Sequence, residues 1–416
     1  MKRILDCVSV SLFLCLTPMS LHGQVKPRAR QLGITFQGIP GALNAITDVA
    51  GVEVGHTTLI SGSGKLQVGA GPIRTGVTAI LPRGKKSVGP VFAGWFSLNG
   101  NGEMTGTTWV EESGMLEGPV MITNTHSVGV VRDAVVAWQM NHGDTSQPWS
   151  LPVVAETYDG FLNDIDGFHV KPQHVFDALD GASSGAIIEG NIGGGTGMVC
   201  YGFKGGIGTS SRKIEVARTS FTLGALVQAN FGRRQQLRIA GVPVGIEITE
   251  EIPYASTAPA LLDEDRGSII VVIATDAPLL PHQLKRLARR ASLGVARTGS
   301  ISGNGSGDIF IAFSTANPEA AKLHGISTLS MTANEDLNPL FEATVEATEE
   351  AIVNALVAAE TMIGVDDHKV IALPQYRLQE ILKKYNRLST HKECWRFAPR
   401  LRTVPDPDRL PANRSC

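Results

Sequence analysis

Metal-ligating residues are scarce in this sequence, with five cysteines and ten histidines spread through 416 residues. They form neither a His-Glu-x-x-His helix nor a cysteine-pair ligand pattern, so no metal site is expected. Charge is scarce as well, at 18% of residues, and the formal net charge is only −2. That balance excludes a global basic field of the kind that holds nucleic acid. A local basic cluster, Lys285-Arg286 with Arg289-Arg290, lies opposite Leu284, Leu287, Ala288 and Ala291 at helical spacing. It reads as the solvated face of an amphipathic helix opened by Pro281. The apolar stretch 7–16 is too short to span a bilayer comfortably, so no stable membrane span is expected. The glycine run Gly193-Gly194-Gly195-Thr196-Gly197 lacks what a phosphate loop needs, because Lys204 is followed by Gly205 and no Gly-Lys-Ser/Thr leads into a helix. A tight loop near a reaction centre or a simple hairpin turn remains for it. His126 alone does not make a Ser-His-Asp triad. No internal repeat stands out.

What the chain does have is 46 glycines and a 43% hydrophobic content, enough for one large core or two ordinary ones. Its most informative point is Gly267-Ser268, where the charged segment Asp263-Glu264-Asp265-Arg266 gives way to the apolar run Ile269-Ile270-Val271-Val272-Ile273-Ala274. A serine opening a buried strand behind a loop glycine can attack the peptide bond on its own amino side. Glycine can hold backbone angles closed to other residues and leaves space around the attacked carbonyl. After an N-to-O acyl shift and hydrolysis, Ser268 becomes a chain terminus carrying a hydroxyl nucleophile and an α-amine of pKa near ~8. The alternative is a Gly-Ser turn leading into a core strand.

Two further segments bear on that choice. Gly303-Asn304-Gly305-Ser306-Gly307-Asp308 leads into Ile309-Phe310-Ile311-Ala312-Phe313, so Ser306 and Asp308 share one face at the mouth of a second strand. Short polar side chains bonding nearby amides in an ordinary loop would look the same. Asn230, after the apolar stretch from Leu226, offers an amide donor for a developing oxyanion, or a strand-end turn with Gly232. Glu156 follows Pro152-Val153-Val154-Ala155 and, partly desolvated, would want a positive partner, either a substrate ammonium or an internal arginine. Tyr158, two residues on, reads by itself as a packed strand-end tyrosine with its hydroxyl toward water.

With these residues in place the chain resembles the self-processing serine aminopeptidases, which include the L-aminopeptidase/D-alanyl esterase-amidases and the β-peptidyl aminopeptidases. The resemblance runs from about Gly33 to about Leu382. It passes through Gly38-Ile39-Pro40-Gly41, Asn99-Gly100-Asn101-Gly102-Glu103, Glu156-Thr157-Tyr158-Asp159-Gly160, Glu189 to Gly197, and Ala274-Thr275-Asp276-Ala277-Pro278-Leu279. It implies that Ser268 is the nucleophile freed by cleavage after Gly267, that Asn230 is the oxyanion donor, and that Ser306 bonds the nucleophile. Asp308 falls where some members carry glutamate. Glu156 corresponds to the carboxylate that holds the substrate's ammonium, and Tyr158 to a hydroxyl assisting at the reaction centre. The implied activity is removal of residues from the free amino end of short peptides, amino-acid amides or esters, with no metal or organic cofactor. Acyl transfer of the ornithine acetyltransferase type is an alternative, although those enzymes have threonine at the junction. A non-catalytic amino-acid- or peptide-binding protein is another.

Lys2 and Arg3, the apolar stretch 7–16 and the small and polar residues up to Gly23 read as a secretory signal peptide over residues 1–23, implying a periplasmic or secreted protein. Its removal leaves Cys200, Cys394 and Cys416. An oxidising compartment permits a Cys394–Cys416 bridge, whereas Cys200, in an apolar context, reads as an unpaired buried thiol. Residues 24–388 are expected to form a single catalytic domain, cut into 24–267 and 268–416, with 389–416 a peripheral, Arg- and Pro-rich tail. Periodicity predicts short strands before Val131, a helix from Ser127 to Met140, strands around Val153 and Met198 and a helix from Thr222 to Asn230. Beyond the junction it predicts strands at Ile269–Ala274 and Ile309–Phe313 and a helix from Pro339 to Ile363. Pattern alone gives mixed α/β without a strand order. The resemblance implies a four-layer α/β/β/α sandwich like that of N-terminal-nucleophile hydrolases, with different connectivity, and a homotetramer.

Overall fold

A computed structural model describes residues 27–389 other than 88, 143–146, 251, 254–265 and 323. The signal peptide, the Cys394–Cys416 bridge, Asp263-Glu264-Asp265 and all but the first residue of the tail lie outside the described residues. Two sheets stack face to face between helical layers. The smaller contains β1 (Glu53–Ser61), β2 (Ile73–Leu81), β5 (Val120–Asn124) and β6 (Val153–Thr157) in that order. The larger runs β4 (Met115–Leu116), β3 (Val91–Ser97), β12 (Gly305–Ser314), β11 (Arg266–Thr275), β10 (Thr219–Asn230), β9 (Gly206–Val216).

Alternation along β11 explains the layering. Ile270, Val272 and Ala274 pack with Val120, Ile122 and Val153 of the smaller sheet, while Ile269, Val271 and Ile273 pack against helices on the other side. Those helices are α5 (Pro281–Arg297), over β3 and β12, and α6 (Asn338–Ala358), over β9 and β10. The outer face of the smaller sheet is covered by α2 (Val128–His142) and α3 (Pro172–Asp180), through Val131, Val135, Trp138, Val175 and Leu179. The four-layer sandwich is thus present, and α5 buries Leu284, Leu287, Ala288 and Ala291; of the basic cluster Arg289 is exposed, Lys285 is half-buried, and Arg286 and Arg290 lie over the Phe341 ring of α6, so the face is only partly solvated. Gly208 in β9 lets α6 approach this closely, since a Cβ there would lie 2.0 Å from the Ala351 carbonyl oxygen.

Two elements differ from the sequence reading. Residues 222–230, expected as a helix, are the inner end of β10, paired antiparallel with both β9 and β11. A strand buried on both faces is apolar throughout and loses the alternation that would reveal it. α6 stops at Ala358, short of the expected Ile363. Met362 and Ile363 instead form β13 (Met362–Ile363), paired with β14 (Lys369–Val370). The short α1 (Thr107–Ser113) and α4 (Val244–Glu247) and the later α7 (Gln375–Lys384) complete the α-helices of the described residues. Short β7 (Val199–Cys200) and β8 (Phe203–Lys204) complete the strands used below. Cys200 is buried and free, and burial pushes its thiol up to about 12. Among the described residues no helix is long and apolar enough to cross a membrane.

Candidate active site

β10, β11 and β12 bring Asn230, Gly267-Ser268 and Ser306-Asp308 together at one end of the larger sheet. Ser268 lies opposite Asn230 in the antiparallel ladder and opposite Gly307 in the parallel one. It is therefore the third residue of β11, not the first as expected, because pairing with β12 extends back to Arg266. The hydroxyl-bearing residue is 5% exposed and lines a cavity of about 980 Å³. Gly267 lines it too. Its backbone is outside the left-handed region, so the need for glycine is one of space: a Cβ would lie 2.2 Å from the Asn230 carbonyl oxygen.

Asn230 is held at both ends of its side chain. Oδ1 accepts from the Val199 N–H at 2.7 Å, and Nδ2 donates to the Tyr158 carbonyl at 2.9 Å. That pairing fixes the amide's orientation at the cavity wall, and Nδ2 carries a second hydrogen for another acceptor. Ser306 donates to Asp308 Oδ1 at 2.6 Å, and the same oxygen accepts from the Ile269 N–H at 3.2 Å. The pair is in phase with Phe310 and Ala312 on the helix-facing side, whereas Ser268 is in phase with Ile270 on the other. In this uncut chain the pair therefore braces the backbone of β11. Asn99 holds the loop before it, receiving the Asp308 N–H at 2.7 Å and donating to the Ser302 and Gly303 carbonyls.

The smaller sheet contributes Glu156, from β6, to the same cavity. It is 3% exposed. Oε1 accepts from the Glu103 N–H at 3.0 Å and Oε2 accepts from the Thr125 hydroxyl. Burial raises its pKa despite these two bonds, and among the described residues no arginine pairs with it; the Glu103 carboxylate and His126 act on it only at longer range. Tyr158 is 53% exposed, lines the cavity, and has its phenol pKa raised by burial and by Asp159 and Asp166. Its neighbour Asp159 is fully buried, accepts from Asn163 Nδ2 at 3.0 Å, and is pushed up to about 6 by desolvation.

Several cavity residues escaped the sequence reading. Thr125 and Glu103 serve Glu156, and His368 stacks on Phe161 at 4.5 Å with Nδ1 beside the Phe161 carbonyl. His126, by contrast, pairs with Asp166. The glycine run is a 3-10 turn at Gly193–Gly195 whose first two amides are taken by Thr58 and Thr78, leaving Gly197 and Val199 on the cavity wall. Among the described residues no cluster of three metal-ligating side chains occurs.

Comparison with known proteins gives the family. The sequence pattern of peptidase family S58 matches residues 44–370. The β-peptidyl aminopeptidase BapA of Sphingosinicella microcystinivorans is 58% identical over 376 residues, covering 88% of this chain and 94% of that protein. The solved L-aminopeptidase D-Ala-esterase/amidase of Ochrobactrum anthropi, described as a variant of the Ntn hydrolase fold, superposes with a TM-score of 0.81. It is 50% identical, over 88% of this chain and 100% of its own. A Burkholderia sp. β-aminopeptidase gives 0.77 at 48% identity, over 86% and 99%. The molecule is accordingly a hydrolase of the aminopeptidase type. This chain belongs to peptidase family S58.

Proposed function

We propose that this aminopeptidase cuts itself between Gly267 and Ser268 and then uses the freed Ser268 to release the first residue of short peptides, amino-acid amides or esters. Glu156 holds the substrate's ammonium, the Ser268 hydroxyl attacks the first carbonyl, and Asn230 Nδ2 donates to the oxyanion. The new α-amine of Ser268 takes the hydroxyl proton and returns it to the leaving amine. Ser306 and Asp308, fixed on the backbone of β11, hold that terminus in place, and the Tyr158 hydroxyl assists at the mouth of the cavity. Water then frees the acyl group.

The observation that carries this reading is the meeting of Glu156 and Ser268 on one cavity. A buried carboxylate with two neutral donors and no cation is an incomplete ion pair, and a substrate ammonium completes it. The names of the relatives at 58% and 51% identity support a preference for β-amino acids at the amino end. A β-alanyl, L-alanyl and D-alanyl p-nitroanilide panel, each with the amine free or acetylated, tests both points. Hydrolysis that survives acetylation removes Glu156 from its role, and faster turnover of the α-substrates contradicts the β-preference. Family membership lends nothing to the acyltransfer or binding-protein alternatives.

The Lys2-Arg3 and apolar 7–16 pattern supports export by cleavage near Gly23, to the periplasm or medium, checked by fractionation and amino-terminal sequencing. The family resemblance supports a single domain over 24–388 and a homotetramer, checked by light scattering.

A further inference from the structure

Lys204, at the end of β8, is fully buried; among the described residues no carboxylate forms an ion pair with it, and Asp159 acts on it only at longer range. Its Nζ lies 2.7 Å from the Met198 carbonyl oxygen, 2.9 Å from that of Gly205 and 3.3 Å from that of Gly195. Three carbonyl acceptors claim three hydrogens, which the ammonium has and the neutral amine lacks. Burial opposes the charge, pushing the pKa down to about 7. A methionine of similar length would fill the space without that penalty, so packing alone does not account for a cation here.

One peptide group connects this cation to the site. The carbonyl that receives Lys204 belongs to the Met198–Val199 peptide, and the N–H of that same peptide donates to Asn230 Oδ1 at 2.7 Å. A cation on a peptide oxygen withdraws electron density from its nitrogen and strengthens the N–H as a donor. The stronger bond to Asn230 Oδ1 in turn makes Nδ2–H a stronger donor, since hydrogen bonds in a chain polarise one another. Gly205 N also donates to the Met198 oxygen, at 2.9 Å, so the peptide keeps its orientation without the lysine. What Lys204 adds is charge.

We infer that Lys204 is a positioning residue for the oxyanion donor, acting on Asn230 through the Met198–Val199 peptide. The inference rests on the reading of Asn230 given above. Negative charge develops on the substrate oxygen only in the transition state, so the effect falls on kcat and leaves KM nearly unchanged.

The test is a double-mutant cycle on β-alanine p-nitroanilide with wild type, Lys204→Met, Asn230→Ala and the double variant, rates being counted per self-cut chain by intact mass. Where cutting itself is slowed, the cycle is read on the rate of cutting, in which an oxyanion forms at Gly267. Lys204→Met is expected to lower the rate about 10- to 100-fold, with KM within about threefold, below the ~10²–10³-fold loss typical of removing an oxyanion donor outright. In the Asn230→Ala background it should add less than about threefold, because the two act as one unit. An unchanged rate, a change carried by KM, or the same loss in both backgrounds overturns the inference. If Asn230→Ala itself leaves the rate unchanged, the oxyanion assignment fails first, and the two failures are told apart. Lys204→Gln replaces Lys204→Met if the latter does not fold. Loss of folded protein in both would make Lys204 a packing residue and also overturn the inference.

Discussion

The smaller sheet reaches the cavity through the end of β6, where a buried carboxylate waits with only neutral donors on it. The larger sheet reaches the same cavity through β10 and β11, where the side chains are an amide and a hydroxyl, both uncharged. In the proposed reaction the charged group is a fixed site for the substrate's amine, present before any reaction begins. The neutral pair has little to hold in the ground state and interacts with charge as it develops. The proposed function thus divides binding and chemistry between two sheets whose shared core, built from Ile122, Val153, Ile270 and Val272, sets their distance.

Substitutions should separate the two sides. Ser268→Ala, on the chemical side, should abolish both self-cutting and hydrolysis, a loss on the order of 10⁶-fold in kcat as for other nucleophile deletions. Asn230→Ala should lower kcat by about 10²–10³-fold while KM barely moves. Glu156→Gln, on the binding side, should raise KM by roughly 30-fold and leave kcat within a few-fold, the loss expected of one partner in a desolvated ion pair. An equal loss in kcat from Glu156→Gln would break the division. Because burial raises the Glu156 pKa, its charge is lost at a higher pH than for an ordinary carboxylate, and the acid limb of kcat/KM should lie above the usual carboxylate range.

A smaller effect concerns stability beneath the binding side. Asp159 has its carboxyl pushed up to about 6, so the folded protein holds that proton more tightly than the unfolded chain does. Stability should therefore fall as pH rises from about 4 to about 6, and Asp159→Asn should flatten that part of the melting-temperature profile. A profile unchanged by the substitution would mean Asp159 is already ionised below that range.

The two sides also differed in how far the sequence revealed them. The chemical side was readable, because the breaks at Gly267-Ser268 and Gly303 to Asp308 mark where apolar strands begin, and β11, β12 and α5 formed as their patterns require. The strand carrying Asn230 was misread as a helix, since burial on both faces removes period-two alternation. On the binding side Glu156 was visible but its supports were not. Thr125 and Glu103 come from segments 31 and 53 residues away and meet it only through folding. Lys204 had no local signature at all: its meaning lies in three carbonyls of a turn that the chain makes around it.

The central claim is that Ser268 acts as a freed chain terminus, and intact mass spectrometry of the purified, denatured protein beside Ser268→Ala tests it most directly. The account predicts two wild-type chains that meet between Gly267 and Ser268 and a variant that stays whole. A wild-type protein that is fully active as one uncut chain would contradict it.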